Sequence, residues 1–265
     1  MNDTRNTGNT SNKGRWHRWA APQHFLPLAE KLLPWIAMIT LLLLGTGIVW
    51  GLGFAPPDYQ QGESYRIIFI HVPSAWMSLF AYVAMAVAGA IFLVWRIRLA
   101  DMFATAAAPL GAWFTFLALA TGSLWGRPMW GTWWEWDPRL TSELILLFLY
   151  LGVIALRRGI DDPQRAARAA ALLALIGVVN VPIIHFSVEW WSSLHQPATI
   201  TKFGKPSMHP SMLWPLLLSA LGFTGYFAVA VVLRMRCEVL ITDRRRRWLN
   251  DAYGVPRVEV RRNTP

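Results

Sequence analysis

Cysteine is nearly absent: Cys237 is the one thiol in 265 residues. A lone cysteine excludes a disulfide scaffold and a Cys-ligated zinc or iron–sulfur centre. It also excludes the C-x-x-C-H attachment signature, so the chain is not itself a c-type cytochrome. Charge is scarce as well. Asp, Glu, Lys and Arg make up 15% of the chain, against roughly one quarter in an average soluble domain. No P-loop lysine motif, no H-E-x-x-H and no G-x-S-x-G occurs, so none of the usual signatures of nucleotide or ester hydrolysis is present.

What the chain has instead is apolar surface. Hydrophobic residues reach 54% and the mean hydropathy is +0.33, which excludes a disordered polar chain. A spanning helix needs about 20 mostly apolar residues, and six stretches qualify: 33–54, 67–95, 103–125, 140–156, 169–189 and 211–233. The expected fold is all-α, a polytopic integral membrane protein of six transmembrane helices. Three regions follow: an N-terminal tail over 1–31, a six-helix membrane domain over 32–236, and a basic C-terminal tail over 237–265. The first dozen residues, rich in Asn, Thr, Ser and Gly, read as disordered. The first apolar stretch is long and follows a polar tail, so it reads as an anchor and not a cleavable signal. Gly47 and Gly51 form a G-x-x-x-G step, which reads as helix packing.

Basic residues set the orientation. Twenty of the 25 Lys and Arg fall in the two tails, the 2–3 loop and the 4–5 loop. The other side holds Arg66, Arg127, Arg139, Lys202 and Lys205. With the acids counted, the two sides carry net charges of +11 and −1. The positive side is expected to be cytoplasmic, with both termini there. This asymmetry explains the overall +10 without nucleic acid, and the run Arg244–Arg247 reads as a topology anchor near anionic lipid.

The outer loops hold the chemistry. Five of the twelve positions from 125 to 136 are Trp: Trp125, Trp130, Trp133, Trp134 and Trp136. An interfacial aromatic belt accounts for scattered indoles such as Trp35, Trp50, Trp95 and Trp214. It does not account for five in one loop flanked by Gly126, Pro128 and Gly131. Indole faces offer large apolar area at little entropic cost, and flat ligands stack on them. Asp137 and Arg139 frame the start of the next span, with Asp137 placed to cap it and Pro138 at its first position.

Four histidines, His71, His185, His195 and His209, fall near the outer face, whereas His17 and His24 lie in the cytoplasmic tail. His71 opens span two, and His195 sits in the third outer loop. Imidazole is a suitable axial ligand for heme iron, and a planar macrocycle held by two His over indole faces is self-consistent. Its propionates would need cations, and an arginine fork suits a carboxylate best. Arg66, Arg127, Arg139, Lys202 and Lys205 are the outer candidates. His185 is expected to satisfy backbone groups freed by Pro182, and His209 is a spare ligand. Glu143 lies one turn inside span four with either the bundle interior or water to face.

The segments Trp125–Thr141, His71–Met77 and Trp190–Pro197 resemble the WWD-domain heme-handling membrane proteins of cytochrome c maturation. They are most similar to the CcmC type, the heme exporter protein C family. The likeness runs from the first span to the sixth. It implies that His71 and His195 are the two axial ligands of a transiently held heme b. It also implies a loop from Trp125 to Arg139 that holds the porphyrin, with Arg66, Trp125, Trp130, Asp137 and Arg139 as contacts. Trp133, Trp134 and Trp136 belong to the same platform. The implied role is to bind heme on the periplasmic face of the bacterial inner membrane. The heme is then delivered to a membrane-anchored heme chaperone, the E component. The implied partners are an ABC-type ATPase and permease (A and B), a small membrane protein (D) and the lipid bilayer, with no nucleic acid. This chain is not expected to be an enzyme. The alternative is a b-type heme electron carrier in the membrane. Such carriers usually bury their His pairs between helices, whereas His71 and His195 read as peripheral. An ordinary solute transporter would place ionisable groups near the bilayer midplane, where this sequence has almost none.

Overall fold

The computed structural model describes residues 21–191, 193–195, 206–244 and 246–254. Helix α1 covers Pro22–Val49 and runs on through a wider π-type turn, Trp50–Phe54. A 3-10 turn, Glu63–Ile67, leads into α2, Ile68–Trp95. Helix α3 is Arg98–Trp130 and α4 is Pro138–Gly159. Helices α5, Pro163–Gly177, and α6, Asn180–Trp190, together make one crossing. Helix α7 is Pro210–Asp243 and the short α8 is Arg247–Tyr253. Six of these segments are long and apolar enough to cross a membrane, as the apolar runs predict.

The helix starts follow local chemistry. Pro22, Pro138, Pro163 and Pro210 open α1, α4, α5 and α7. A first-turn proline loses no hydrogen bond and arrives with helical φ. Side chains of Asp137, Asp162 and His209 cap three of those helices. Several helices outrun their apolar stretches: α1 begins at Pro22 and not near 33, and α7 continues to Asp243. Polar residues with good helix propensity extend a helix once the lipid-facing part has nucleated it.

Helix α2 lies along α3, α1 lies along α7, and α4 sits against both α3 and α5. Lipid tails give helices little hydrophobic reason to associate, so small residues that let backbones approach are decisive. Helix α5 buries Ala166, Ala167, Ala170, Ala171 and Ala174 at helical spacing. Gly47 packs on the Ser219 backbone of α7 and Gly51 on the Phe69 ring, the packing role expected of that pair. At the centre, Tyr82 and Tyr150 are fully buried and meet edge to face at 4.9 Å. The Tyr150 hydroxyl donates to the Ser78 carbonyl at 2.7 Å. A Cβ on Gly111 would land in the Tyr150 ring, so that close approach requires glycine.

One end of the bundle carries ion pairs between helices. Arg98 and Arg246 reach Asp243 at 2.8 and 3.1 Å. Arg157 pairs with Asp101, and Arg236 pairs with Glu30 at 3.2 Å. The Trp-rich segment lies at the opposite end.

Candidate functional site

The sequence places all five indoles in one loop, but the structure divides them. Helix α3 continues through Pro128 to Trp130, so Trp125 and Trp130 stand on a helix. It stops at Gly131, whose φ of 78° is a left-handed conformation that favours glycine. The Gly131 N–H donates to the Arg127 carbonyl at 3.1 Å, and the Arg127 guanidinium donates to the Gly131 carbonyl. Trp133, Trp134 and Trp136 occupy the short loop to α4. The Ser123 hydroxyl donates to the Trp133 carbonyl at 2.7 Å and ties that loop back to α3. Periodicity could not show the extra helical turns, because Gly126 and Pro128 read locally as breakers while tertiary contacts hold them.

His71 lies in the first turn of α2 and faces α3. Its ring meets Trp125 edge to face at 5.6 Å, and its Nδ1 lies 3.0 Å from the Thr121 hydroxyl. The Trp125 indole N–H donates to the Gln61 side-chain carbonyl at 3.1 Å. No local pattern marks Thr121 or Gln61, which lie 50 and 64 positions from their partners.

Asp137 organises the other half. Its carboxylate accepts from the Arg139 and Leu140 N–H groups at 2.8 and 3.4 Å, capping α4 as its position predicts. The second oxygen accepts the Leu194 N–H at 2.9 Å and so pins the segment after α6. His195 follows, with its Nδ1 3.5 Å from the carboxylate, an electrostatic contact and not a well-formed hydrogen bond. Burial by itself would raise the Asp137 pKa. The Ser193 hydroxyl, the Leu194 and Arg139 N–H groups and His195 outweigh it and hold the carboxyl below its ordinary value. Burial pushes His195 down to about 4, Arg139 adds to that, and Asp137 opposes it. His195 is therefore neutral near neutral pH and keeps a lone pair for a metal.

The two halves meet at the end of α3. His195 packs edge to face on Trp130 at 5.1 Å, and His71 packs on Trp125. Those indoles are about 7.5 Å apart along the helix axis, five residues at ~1.5 Å each. The two imidazoles are within electrostatic reach of each other and of Arg139. An open cleft of about 640 Å³ is lined by Trp130, Glu135, Trp136, Asp137, Pro138, Ser193 and Leu194. Two buried polar atoms beside it, Trp134 Nε1 and His195 Nδ1, have no hydrogen-bond partner among the described residues. Buried polar groups left unpaired ask for a ligand or water. Two imidazoles, indole walls and an arginine fit the donor set of a bis-His heme.

The remaining candidates are placed differently. The Arg66 guanidinium donates to the Gly51 and Leu52 carbonyls at 3.1 and 3.0 Å and pairs with Glu63. Its Nη1 therefore closes the end of α1. Trp133 and Trp136 are exposed, and Trp134 meets Trp136 edge to face at 5.6 Å. His71 and His195 are half-buried, deeper than a peripheral reading expects. His185 is exposed and meets Phe186 edge to face. The helix break before Pro182 is tied instead by Asn180, whose amide donates to the Ser142 carbonyl at 2.8 Å. His209 has a structural role: its Nδ1 accepts the Ser211 N–H at 3.3 Å and caps α7. Glu143 faces the bundle interior, 2.7 Å from the Ser78 hydroxyl. Lys202, Lys205, Gln196, Pro197, His17 and Arg245 lie outside the described residues.

The chain is similar to known proteins over most of its length. The family model described as heme exporter protein C, CcmC, matches residues 15–250. The heme exporter protein C of Escherichia coli K12 is 52% identical over 235 residues, 89% of this chain and 95% of its own length. That of Bradyrhizobium diazoefficiens is 56% identical over 221 residues, covering 83% of this chain and 84% of the relative. A ccmC-like mitochondrial protein of Marchantia polymorpha, named for cytochrome c biosynthesis, is 46% identical over 198 residues, 75% and 84% of the two chains. With six membrane-spanning helices and a match over most of its length, this chain belongs to the heme exporter protein C family.

Proposed function

We propose that this protein holds heme b at the aromatic end of the bundle, with His71 and His195 as axial ligands, and hands it to a membrane-anchored heme chaperone during cytochrome c maturation. The observation that carries the reading is the convergence of two imidazoles, from α2 and from the segment after α6, on neighbouring indoles of one helix end. The family supports heme handling for cytochrome c maturation. When bound, heme would supply an iron for His71 and His195 to hold and a reactive porphyrin edge for a partner.

The chain's own residues hold and orient. His71 is anchored on rigid α2 and α3, whereas His195 is held through Asp137 on a short connecting segment. Trp130 and Trp136 wall the cleft and keep water from one side. Arg139 supplies positive charge beside both imidazoles, suited to a propionate. The cleft is open, which leaves an edge for a partner to reach. Positioning of this kind promotes a reaction that another protein completes. The chain acts as a non-enzymatic component beside an ABC-type ATPase and permease (A and B) and a small membrane protein (D). The Lys and Arg asymmetry supports a bacterial inner-membrane protein with cytoplasmic termini and a periplasmic cleft.

The test is the absorption spectrum of the purified protein and of His71→Ala and His195→Ala. A Soret band in the parent that weakens in each variant is expected. Unchanged spectra in both would remove the axial assignment. Reporter fusions at residues 131–137 should signal outside the cytoplasm, and a cytoplasmic signal would reverse the orientation.

A further inference from the structure

We infer that Thr121 is a positioning residue that fixes the tautomer of His71, so that Nε2 carries the free lone pair. This rests on His71 being a ligand, as proposed above. The Thr121 side chain is buried in α3, and its oxygen lies 3.0 Å from His71 Nδ1. A threonine hydroxyl has one hydrogen to give. That hydrogen is directed to the Leu117 carbonyl at 2.6 Å, with the Ala118 carbonyl at 3.3 Å as a weaker second acceptor. Toward His71 the oxygen therefore offers only a lone pair. With that hydrogen given to Leu117, Nδ1 faces an acceptor and carries the proton, which leaves Nε2 unprotonated.

The ring is also held in place. A Cβ on Gly122 would lie 3.0 Å from His71 Cε1, so the imidazole rests directly against the α3 backbone. One residue thus fixes the proton and the next supplies the surface. An N–H to acceptor bond behind a ligating imidazole raises its basicity and fixes its plane. His195 has only a looser contact there: its Nδ1 lies 3.5 Å from the Asp137 carboxylate, too long for a well-formed hydrogen bond. The two ligands are therefore unequal, His71 the firm one and His195 the releasable one.

The experiment compares the full-length protein with Thr121→Val, which keeps the shape and removes the hydroxyl, and Thr121→Ser, which restores it. Nitrogen-15 NMR of the heme-free protein, labelled at histidine and assigned with His71→Ala, should show the Nδ1–H tautomer at His71. An Nε2–H tautomer in the parent protein overturns the inference without any variant. Thr121→Val should blur that tautomer, weaken heme retention by about tenfold or more and raise the heme reduction potential. Thr121→Ser should return all three towards the parent values. If His71→Ala loses the Soret band while Thr121→Val matches the parent in tautomer and potential, the role of Thr121 falls and the ligand remains. If His71→Ala leaves the spectrum unchanged, the ligand reading itself falls.

Discussion

At the basic end of the bundle, Arg98, Arg157, Arg236 and Arg246 each reach an Asp or Glu on another segment or one turn away. At the aromatic end, Asp137 is committed to backbone N–H groups, and two imidazoles lie against indoles, His195 with its Nδ1 unbonded among the described residues. The difference separates holding a fold from holding a ligand. Charges at the first end are answered within the chain. At the second end one carboxylate orders two segments, and the remaining donor and acceptor capacity is left for something else.

The comparison breaks most directly at the histidines. Either His71→Ala or His195→Ala should abolish tight heme retention while insertion continues, read as loss of the Soret band with normal membrane yield. Asp137→Ala should come next. It removes an N-cap, about 1 kcal/mol, and strands the Leu194 N–H, another ~1–3 kcal/mol. His195 should then drift, with heme retention falling while His71 stays ordered; limited proteolysis near residue 193 should increase. Trp130→Ala should cost roughly 1 kcal/mol of ring contact with His195, read as about fivefold weaker retention. Arg98→Ala, at the other end, should leave the heme spectrum untouched. It should lower resistance to detergent denaturation by ~1 kcal/mol or less, because Arg98 is part-exposed and Arg246 still reaches Asp243. A spectral change in Arg98→Ala would show that the two ends are not independent.

Much of the site was legible because its signals are local. Asp137 before Pro138 reads as a cap, and it is one. Five indoles in twelve positions read as a platform, and they do gather at one end. What was not legible depends on partners far along the chain. His209 reads as a spare ligand, and only the structure shows its Nδ1 capping α7. Arg66 reads as a propionate anchor, and only the structure shows its Nη1 also closing the end of α1. Thr121 looks like any threonine in an apolar span, and only the crossing of α2 over α3 sets it behind His71.

The sequence by itself determined six membrane crossings, because length and apolarity are additive along the chain and need no partner. It also determined where the charged and aromatic residues concentrate. The tertiary structure alone decided that His71 Nδ1 meets Thr121, how far α3 carries the indoles, and that Asp137 ties α4 to the segment bearing His195. Those outcomes depend on ångström-scale approach between segments tens of residues apart, set by small residues at helix contacts, and no local pattern encodes them.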